Sequence, residues 1–282
     1  MKLVIITFTV LAAHFVLSVT AQEVYKNDRL EKLWETKPGL RTPESVLYDP
    51  SEKLIYISNI NEEPWEKDNN GFITRHKADG EILNYDWVEE LSAPKGMGLL
   101  QGKLYVTNID EVVEIDVTSA KITQRYKHPK AVNLNDIAIG ADGRVFISDS
   151  QGNYLFEIFN GVMDILYQSD SGPTNGLFYE TGRLLCGQDN RVAALDLNTK
   201  TMITYIDSTG AIDGIEGVGD STYLISDWSG KIHLIQQGQP KLLLLDTTPK
   251  EINAADIEFD PYDRILYVPT FFNNTVVAYK LK

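Results

Sequence analysis

The sequence predicts an all-β protein, a six-bladed β-propeller. Six segments share one pattern of strand, tight turn and strand, and they start at Glu44, Lys95, Asn135, Asn175, Asp213 and Ala255. Consecutive starts lie 51, 40, 40, 38 and 42 residues apart. Repeats of this length that consist of short strands are typical of propeller blades. The periodicity of the apolar residues predicts strands throughout, without a long amphipathic helix.

The first element is a predicted secretory signal peptide over residues 1–21. Lys2 precedes an apolar run from Leu3 to about Val16, and Val19 and Ala21 are small residues before a cleavage point at Gln22. This arrangement is typical of a cleaved signal and predicts a secreted or periplasmic protein. A single membrane anchor is the alternative, because the run nearly reaches spanning length. The mature chain, residues 22–282, is expected to form one domain.

The next element is a strand that has no blade of its own. The segment "RLEKLWET" spans residues 29–36 and precedes the first repeat, whereas the sixth repeat ends with "TVVAYKLK" and lacks a fourth strand. We expect residues 29–36 to complete the sixth blade and to close the ring. Closure protects the strand edges that an open sheet exposes.

The six blades follow in order, and each continues with a second hairpin. The segments "GFITRHKADGEIL" and "KIHLIQQGQPKLLLL" are two examples, each with a turn at its middle. A polar insertion from Asn61 to Asn70 explains the long first spacing. His76 falls in a hairpin that we expect to be exposed.

Composition limits the classes of partner. The chain of 282 residues carries a formal net charge of −14, with a sequence pI of about 4.7. Such an acidic surface repels nucleic acid and anionic lipid, so we expect neither as a partner. Cys186 is the only cysteine, which excludes an intrachain disulfide and an all-cysteine metal site. We expect a monomer.

The residue that starts each blade is the main functional signal. The first strand of each propeller blade lines the central channel, so the six starting residues, called here the blade heads, should converge near the axis. Their side chains are mostly carboxylates and amides, without cysteine or histidine. Such oxygen ligands suit Ca²⁺ or Mg²⁺ rather than Zn²⁺. The alternative is that Asn, Asp and Gly before a strand are ordinary turn residues. Glu44 favours a site, because glutamate is not a preferred turn residue and is costly to bury unpaired.

At these residues the chain resembles the family of senescence marker protein (regucalcin), gluconolactonase and luciferin-regenerating enzyme, and more distantly the serum paraoxonases. The resemblance covers nearly all of the mature chain through short motifs. It implies a six-bladed propeller with a divalent metal, often Ca²⁺, in the channel. It also implies that Glu44, Asn175 of "PTNGLFY" and Asp213 of "IDGIEG" are the metal ligands, with Asp213 also a base. Asn135 and Asp136 match the family's third-blade pair, whose asparagine faces substrate or metal.

Four positions depart from the family pattern. Ser45 and Val46 stand where the family often has Gly-Pro, and Asn133 stands where the sugar-lactone enzymes carry arginine. The asparagine in place of this arginine argues against a gluconolactone-like substrate. Lys95 places a cation at the channel. It could pair with Glu44 or Asp256 and weaken metal binding, or it could donate a hydrogen bond to a substrate oxygen.

Two functions are consistent with this pattern. The first is a metal-dependent hydrolase of a lactone or related ester. Asp213 or Asp136 would act as the base, Asn135 would orient the substrate, and Lys95 would help to hold the oxyanion. The second is a non-catalytic propeller that binds a ligand or a protein, in which a channel metal or a Lys95–Glu44 ion pair only braces the blades. The sequence contains no phosphate-binding glycine loop and no Gly-x-Ser-x-Gly motif.

Overall fold

Residues 23–282 are described by a computed structural model, and the predicted signal peptide lies outside them. These residues form one five-stranded and five four-stranded antiparallel sheets, which confirms the six predicted blades. None of the helices within residues 23–282 is long and apolar enough to cross a membrane.

The strands are short and nearly all have five to seven residues, as the repeat pattern predicts. In chain order they are β1 (Tyr25–Lys26), β2 (Leu30–Glu35), β3 (Pro43–Asp49), β4 (Leu54–Asn59), β5 (Gly71–Lys77), β6 (Ile82–Leu91), β7 (Pro94–Leu100), β8 (Lys103–Asn108), β9 (Glu111–Asp116), β10 (Lys121–Lys127), β11 (Leu134–Ile139), β12 (Val145–Asp149), β13 (Tyr154–Phe159), β14 (Val162–Gln168), β15 (Leu177–Glu180), β16 (Arg183–Gln188), β17 (Arg191–Asp196), β18 (Met202–Asp207), β19 (Ile215–Gly219), β20 (Thr222–Asp227), β21 (Lys231–Gln236), β22 (Leu242–Asp246), β23 (Glu258–Asp260), β24 (Ile265–Pro269) and β25 (Val276–Leu281). Two 3₁₀-helices, Thr248–Lys250 and Phe271–Asn273, lie in loops.

The innermost strands form a closed ring around the axis. They are β3, β7, β11, β15, β19 and β23, and each contacts the innermost strand of the next blade, with β23 returning to β3. A parallel bridge between Ser45 and Asp256 joins the sixth blade to the first at the axis. The first strands begin at the predicted heads in blades one to three. In blades four to six the strand begins two or three residues later, so Asn175, Asp213 and Ala255 precede it.

The predicted closure by the N-terminal strand is confirmed. Strand β2 pairs antiparallel with β25, with Leu30 opposite Leu281 and Glu35 opposite Val277. Thr36 extends this edge, because its hydroxyl accepts a hydrogen bond from the Val276 amide at 2.9 Å. Strand β1, which the sequence pattern did not predict, adds a fifth strand to blade five by pairing with β22.

The hydrophobic core is divided among the six interfaces between neighbouring blades. At the first interface, Tyr56 and Trp87 of blade one pack with Leu104 and Val113 of blade two. Equivalent apolar clusters lie at the other five interfaces. Because the apolar side chains pack between the faces of adjacent sheets, the axis remains available for polar side chains.

One local expectation was wrong. His76 is fully buried rather than exposed, and its ring nitrogens lie 2.8 Å from the Thr74 hydroxyl and 3.2 Å from the Gly80 carbonyl. Burial also lowers the pKa of His76. The hairpin pattern gave the correct strand, but it does not indicate whether tertiary packing covers the side chain of His76.

Candidate functional site

The blade heads meet at one end of the channel, called here the upper end, where the innermost strands begin. Glu44, Lys95, Asn135 and Asp213 each expose 6% or less of their surface, although all four are polar. Asn175 is partly buried. The predicted convergence of these distant residues therefore occurs. The charges of Lys95 and Asp213 lie near enough to Glu44 to shift its pKa.

Two glycines bring neighbouring heads into contact. A Cβ atom at Gly176 would lie 2.5 Å from the backbone oxygen of Asp213, and one at Gly214 would lie 2.6 Å from Oδ1 of Asp256. No real side chain tolerates such distances, so only glycine permits this approach. Asn175-Gly176 and Asp213-Gly214 are consequently close-packed channel positions, and the turn interpretation of these pairs does not apply.

Asn175 and Asp213 form the centre of the site. The Asn175 Nδ2 donates a hydrogen bond of 2.7 Å to Oδ1 of Asp213. The second oxygens of both residues, Asn175 Oδ1 and Asp213 Oδ2, are buried and have no partner among the described residues. Glu44 Oε2 is in the same condition. A buried oxygen without a partner costs about 1–3 kcal/mol.

These three atoms belong to the three residues that the family resemblance implies as metal ligands. One amide and two carboxylate oxygens form a donor set that suits a hard cation such as Ca²⁺. Within residues 23–282, no group of three His, Cys, Asp or Glu side chains is arranged to hold a metal ion. The donor set described here contains only two such residues, Glu44 and Asp213, and its third donor is the amide oxygen of Asn175. The donor chemistry and the unsatisfied oxygens fit a divalent cation.

Burial determines the acidity of the two carboxyl groups. It raises the pKa of Glu44 well above its ordinary value, an effect that Lys95 opposes and that the charges of Asp213 and Asp136 reinforce. It also raises the pKa of Asp213, to about 6, against the hydrogen bond from Asn175. The site therefore disfavours uncompensated negative charge, which a bound cation would compensate.

The ammonium group of Lys95 contacts backbone carbonyls and a tryptophan ring. Its Nζ donates to the backbone oxygens of Pro64, at 2.9 Å, and Ala93, at 3.3 Å, and lies 4.3 Å from the ring centroid of Trp65. Within residues 23–282 its ammonium forms no ion pair, so the proposed pairs with Glu44 and Asp256 are not formed. The insertion at 61–70 supplies the carbonyl and the aromatic face that hold the ammonium instead. Burial lowers the pKa of Lys95 to about 8.

Asp136 joins two blades. Its carboxylate oxygens accept hydrogen bonds of 2.6 Å from the amides of Ile137 and Leu177, the latter in blade four. Burial raises the pKa of Asp136 to about 7. Asn135 is also buried, and its backbone oxygen accepts a hydrogen bond of 2.6 Å from the Thr107 hydroxyl. Thus the sequence placed both residues correctly in the channel, but the carboxylate of Asp136 is occupied by backbone amides.

Two cavities open into the channel from opposite ends. The upper cavity of about 210 Å³ is lined by Asn175, Asp213, Gln188 and Trp228, among others. The lower cavity is larger, about 520 Å³, and five acidic residues line it. Asp49 accepts hydrogen bonds from Ser51 in the β3–β4 turn, and the other four are Asp136, Glu216, Asp256 and Glu258. Sequence reasoning missed Glu216 and Glu258. The sequence feature that could have identified them is a glutamate within the innermost strand of a blade, in the segments "IEG" and "IEFD".

The comparisons with known proteins rest on structure alone. No family model matches the chain. No curated protein matches it either.

Several solved structures share its fold. A protein assigned to the gluconolactonases by family has a TM-score of 0.65 and 16% identity, with 89% of this chain and 91% of that chain covered. A gluconolactonase from Xanthomonas campestris has a TM-score of 0.65 and 15% identity, covering 90% and 89%. An inactive variant of virginiamycin B lyase from Staphylococcus aureus, solved with quinupristin, has a TM-score of 0.63 and 16% identity, covering 92% and 100%.

The resemblance to gluconolactonases is thereby confirmed at the level of the fold. Identities of 15–16% establish the shared propeller architecture and no more. The presence of a lyase with the same architecture illustrates that the fold does not choose the chemistry.

Proposed function

We propose that this protein is a divalent-metal-dependent hydrolase of a lactone or related ester, with its active site at the upper end of the channel. The observation that carries the proposal is the set of three buried oxygens without partners, Glu44 Oε2, Asn175 Oδ1 and Asp213 Oδ2. The likeness to gluconolactonase structures supports the same reaction class.

Glu44, Asn175 and Asp213 would hold the cation, and Ca²⁺ suits their oxygens. When bound, the ion supplies Lewis acidity that polarises the substrate carbonyl. Asn175 also fixes the orientation of Asp213 through the 2.7 Å hydrogen bond to Oδ1. Oδ2 has two lone pairs and no partner among the described residues, so it would contact the cation with one and accept a proton with the other. Both oxygens of Asp136 already accept hydrogen bonds from backbone amides, so the geometry favours Asp213 as the base.

In the hydrolysis, a water oxygen forms a bond to the carbonyl carbon and the carbon–oxygen bond to the leaving alkoxide breaks. Asp213 takes the proton from the attacking water and returns it to the alkoxide, so that a hydroxy acid is released from a lactone. Asn135 would orient the substrate from the adjacent blade. Lys95 retains one N–H beyond its two carbonyl contacts, which could reach a substrate oxygen.

The test is hydrolysis of a panel of lactones and aryl esters by purified protein, with Ca²⁺ and with chelator. We expect turnover that requires the cation and that falls at least 100-fold in Asp213→Asn, which keeps the size of the side chain. Absence of hydrolysis above this variant on every substrate would sink the proposal. If Ca²⁺ then still stabilised the protein, the result would favour the non-catalytic binding propeller. We also propose export of the chain, on the basis of its first 21 residues.

A further inference from the structure

The rim of the upper cavity carries an aromatic surface. In each blade the loop between the second and third strands lies at the upper end, because the second strand runs back toward the blade head. In blades one, five and six these loops span residues 60–70, 228–230 and 270–275. They carry Trp65, Trp228 and the pair Phe271-Phe272.

Three of these four side chains are exposed although they are large and apolar. Trp65 exposes 43% of its surface, Trp228 exposes 44% and Phe272 exposes 61%. Lone exposed apolar residues are common, but a group gathered at the edge of a cavity is typical of a ligand-binding surface.

The aromatic surface is anchored rather than loosely attached. The Trp228 ring lies 5.6 Å from Phe271 and 6.0 Å from Phe272, measured between ring centroids. Phe271 is buried and packs with Ile60 and Ala255. Its φ of +48° is an unusual backbone conformation for an aromatic residue, held here by this packing. Strained residues of this kind cluster at ligand-binding sites.

The surface is also continuous with the proposed site. Trp228 lines the same cavity as Asn175 and Asp213. On the other side of the channel, Trp65 lies against the ammonium of Lys95. The loops of blades three and four, by contrast, bring the polar residues Ser150 and Asp189 to the cavity. The cavity is therefore bordered on one side by Trp228, with Phe272 packed beside it, and on the other by polar residues.

We propose that the substrate is a lactone or ester bearing an apolar alkyl or aryl substituent, and that Trp228 and Phe272 bind this substituent. The inference rests on the proposed function, because it concerns the substrate of the same site. The polar residues and the unpaired oxygens face the reacting group, while the substituent lies across the aromatic rings. A polyhydroxylated lactone is a poorer ligand, because its hydroxyl groups lose hydrogen bonds to water against these rings.

The first experiment measures kcat/KM for lactones that share one ring and differ only in alkyl chain length, beside a polyhydroxylated lactone. Each methylene that becomes buried should raise kcat/KM about three- to four-fold, until the chain passes the aromatic rings. A flat dependence on chain length, or a preference for the polyhydroxylated lactone, overturns the inference.

The second experiment removes the rings one at a time. Trp228→Ala and Phe272→Ala should each lower kcat/KM for the longest chain about 10-fold and flatten the dependence on chain length. Phe272 is mostly exposed, so this variant keeps the fold testable if Trp228→Ala is unstable. Tyr262→Ala is the control, since Tyr262 is 85% exposed on the β23–β24 turn at the opposite end of the channel. Equal losses in the Tyr262 variant would contradict the assignment.

A binding measurement separates this inference from the proposed reaction. A lactam with the same alkyl chain resists hydrolysis, and its binding can be followed by quenching of tryptophan fluorescence. Binding that weakens about 10-fold in Phe272→Ala, without hydrolysis of any lactone or ester, would support the aromatic subsite and contradict the hydrolase. Hydrolysis that depends neither on chain length nor on Phe272 would support the hydrolase and contradict the aromatic subsite.

Discussion

Replacing Glu44 by glutamine should change the stability of the protein in opposite directions with and without calcium. Glu44 exposes 4% of its surface, its Oε2 has no partner among the described residues, and burial raises its pKa. Without a cation, the native state must bury an uncompensated charge or take up a proton. Glutamine has the same size and no charge, so we expect Glu44→Gln to be at least as stable as the wild type in chelator.

In calcium, the wild type should instead be more stable than Glu44→Gln. A ligand present at 100 times its Kd stabilises the native state by about 2.7 kcal/mol. For a domain of this size, that corresponds to a rise in Tm of about 5–10 °C for the wild type. Glu44→Gln removes one of the two charged ligands and should lose most of this gain. In saturating calcium it is therefore expected to be about 2 kcal/mol less stable than the wild type.

Urea or thermal unfolding, followed by tryptophan fluorescence in EDTA and in CaCl₂, measures both quantities. Glu258→Gln is the matched control, because Glu258 is a carboxylate of the same channel that lines the lower cavity. It should keep the calcium-dependent shift. The reasoning is refuted if neither Ca²⁺ nor Mg²⁺ raises the Tm of the wild type, or if Glu44→Gln shows the full shift. Loss of the shift in Glu258→Gln alone would place the cation in the lower cavity.

Three further predictions concern the rest of the molecule. In chelator, stability should fall as the pH rises from about 4 to 8, because burial raises the pKa of Glu258 to about 8 and the folded state retains a proton that the unfolded chain releases near pH 4. Glu258→Gln should reduce this slope by up to about 1.4 kcal/mol per pH unit in urea titrations, and an unchanged slope would contradict the assignment. Leu30→Ala, in the strand that closes the ring, should lower the free energy of unfolding in urea by about 3 kcal/mol. Leu33→Ala, on the exposed face of the same strand, should lower it by less than about 0.5 kcal/mol, and equal losses would contradict the closure. Lys95→Met should tighten calcium binding in isothermal titration, because a neighbouring positive charge is removed; weaker binding would show that the ammonium supports the site.

Much of the architecture could be predicted from the sequence because a propeller repeats one local pattern. Strand periodicity, turn residues and a spacing near forty residues are local properties of the chain. The unmatched strand at residues 29–36 and the incomplete sixth repeat together predicted the closure. Strand β1 was missed because two residues carry no periodicity, and its pairing with β22 depends on tertiary contacts alone.

The candidate site was only partly predictable. Repetition identified six blade heads, and the family resemblance selected Glu44, Asn175 and Asp213 among them. In the structure each of these three has a buried oxygen without a partner among the described residues. The same argument could not distinguish Asp136 from Asp213, although backbone amides satisfy only the first. Nor could it predict that Lys95 contacts Pro64 and Trp65, since the path of the insertion is not encoded in the repeat.

The sequence by itself determined the number of blades and the residue at each blade head, because each blade repeats one local pattern. It also determined the strand that closes the ring, because one strand before the first repeat has no blade and the last repeat lacks a strand. Only the tertiary structure decided which polar atoms lack partners, which carboxylates face the lower cavity and which aromatic side chains share the rim with the site. These properties depend on distances between blades, and such distances exist only once the ring has closed.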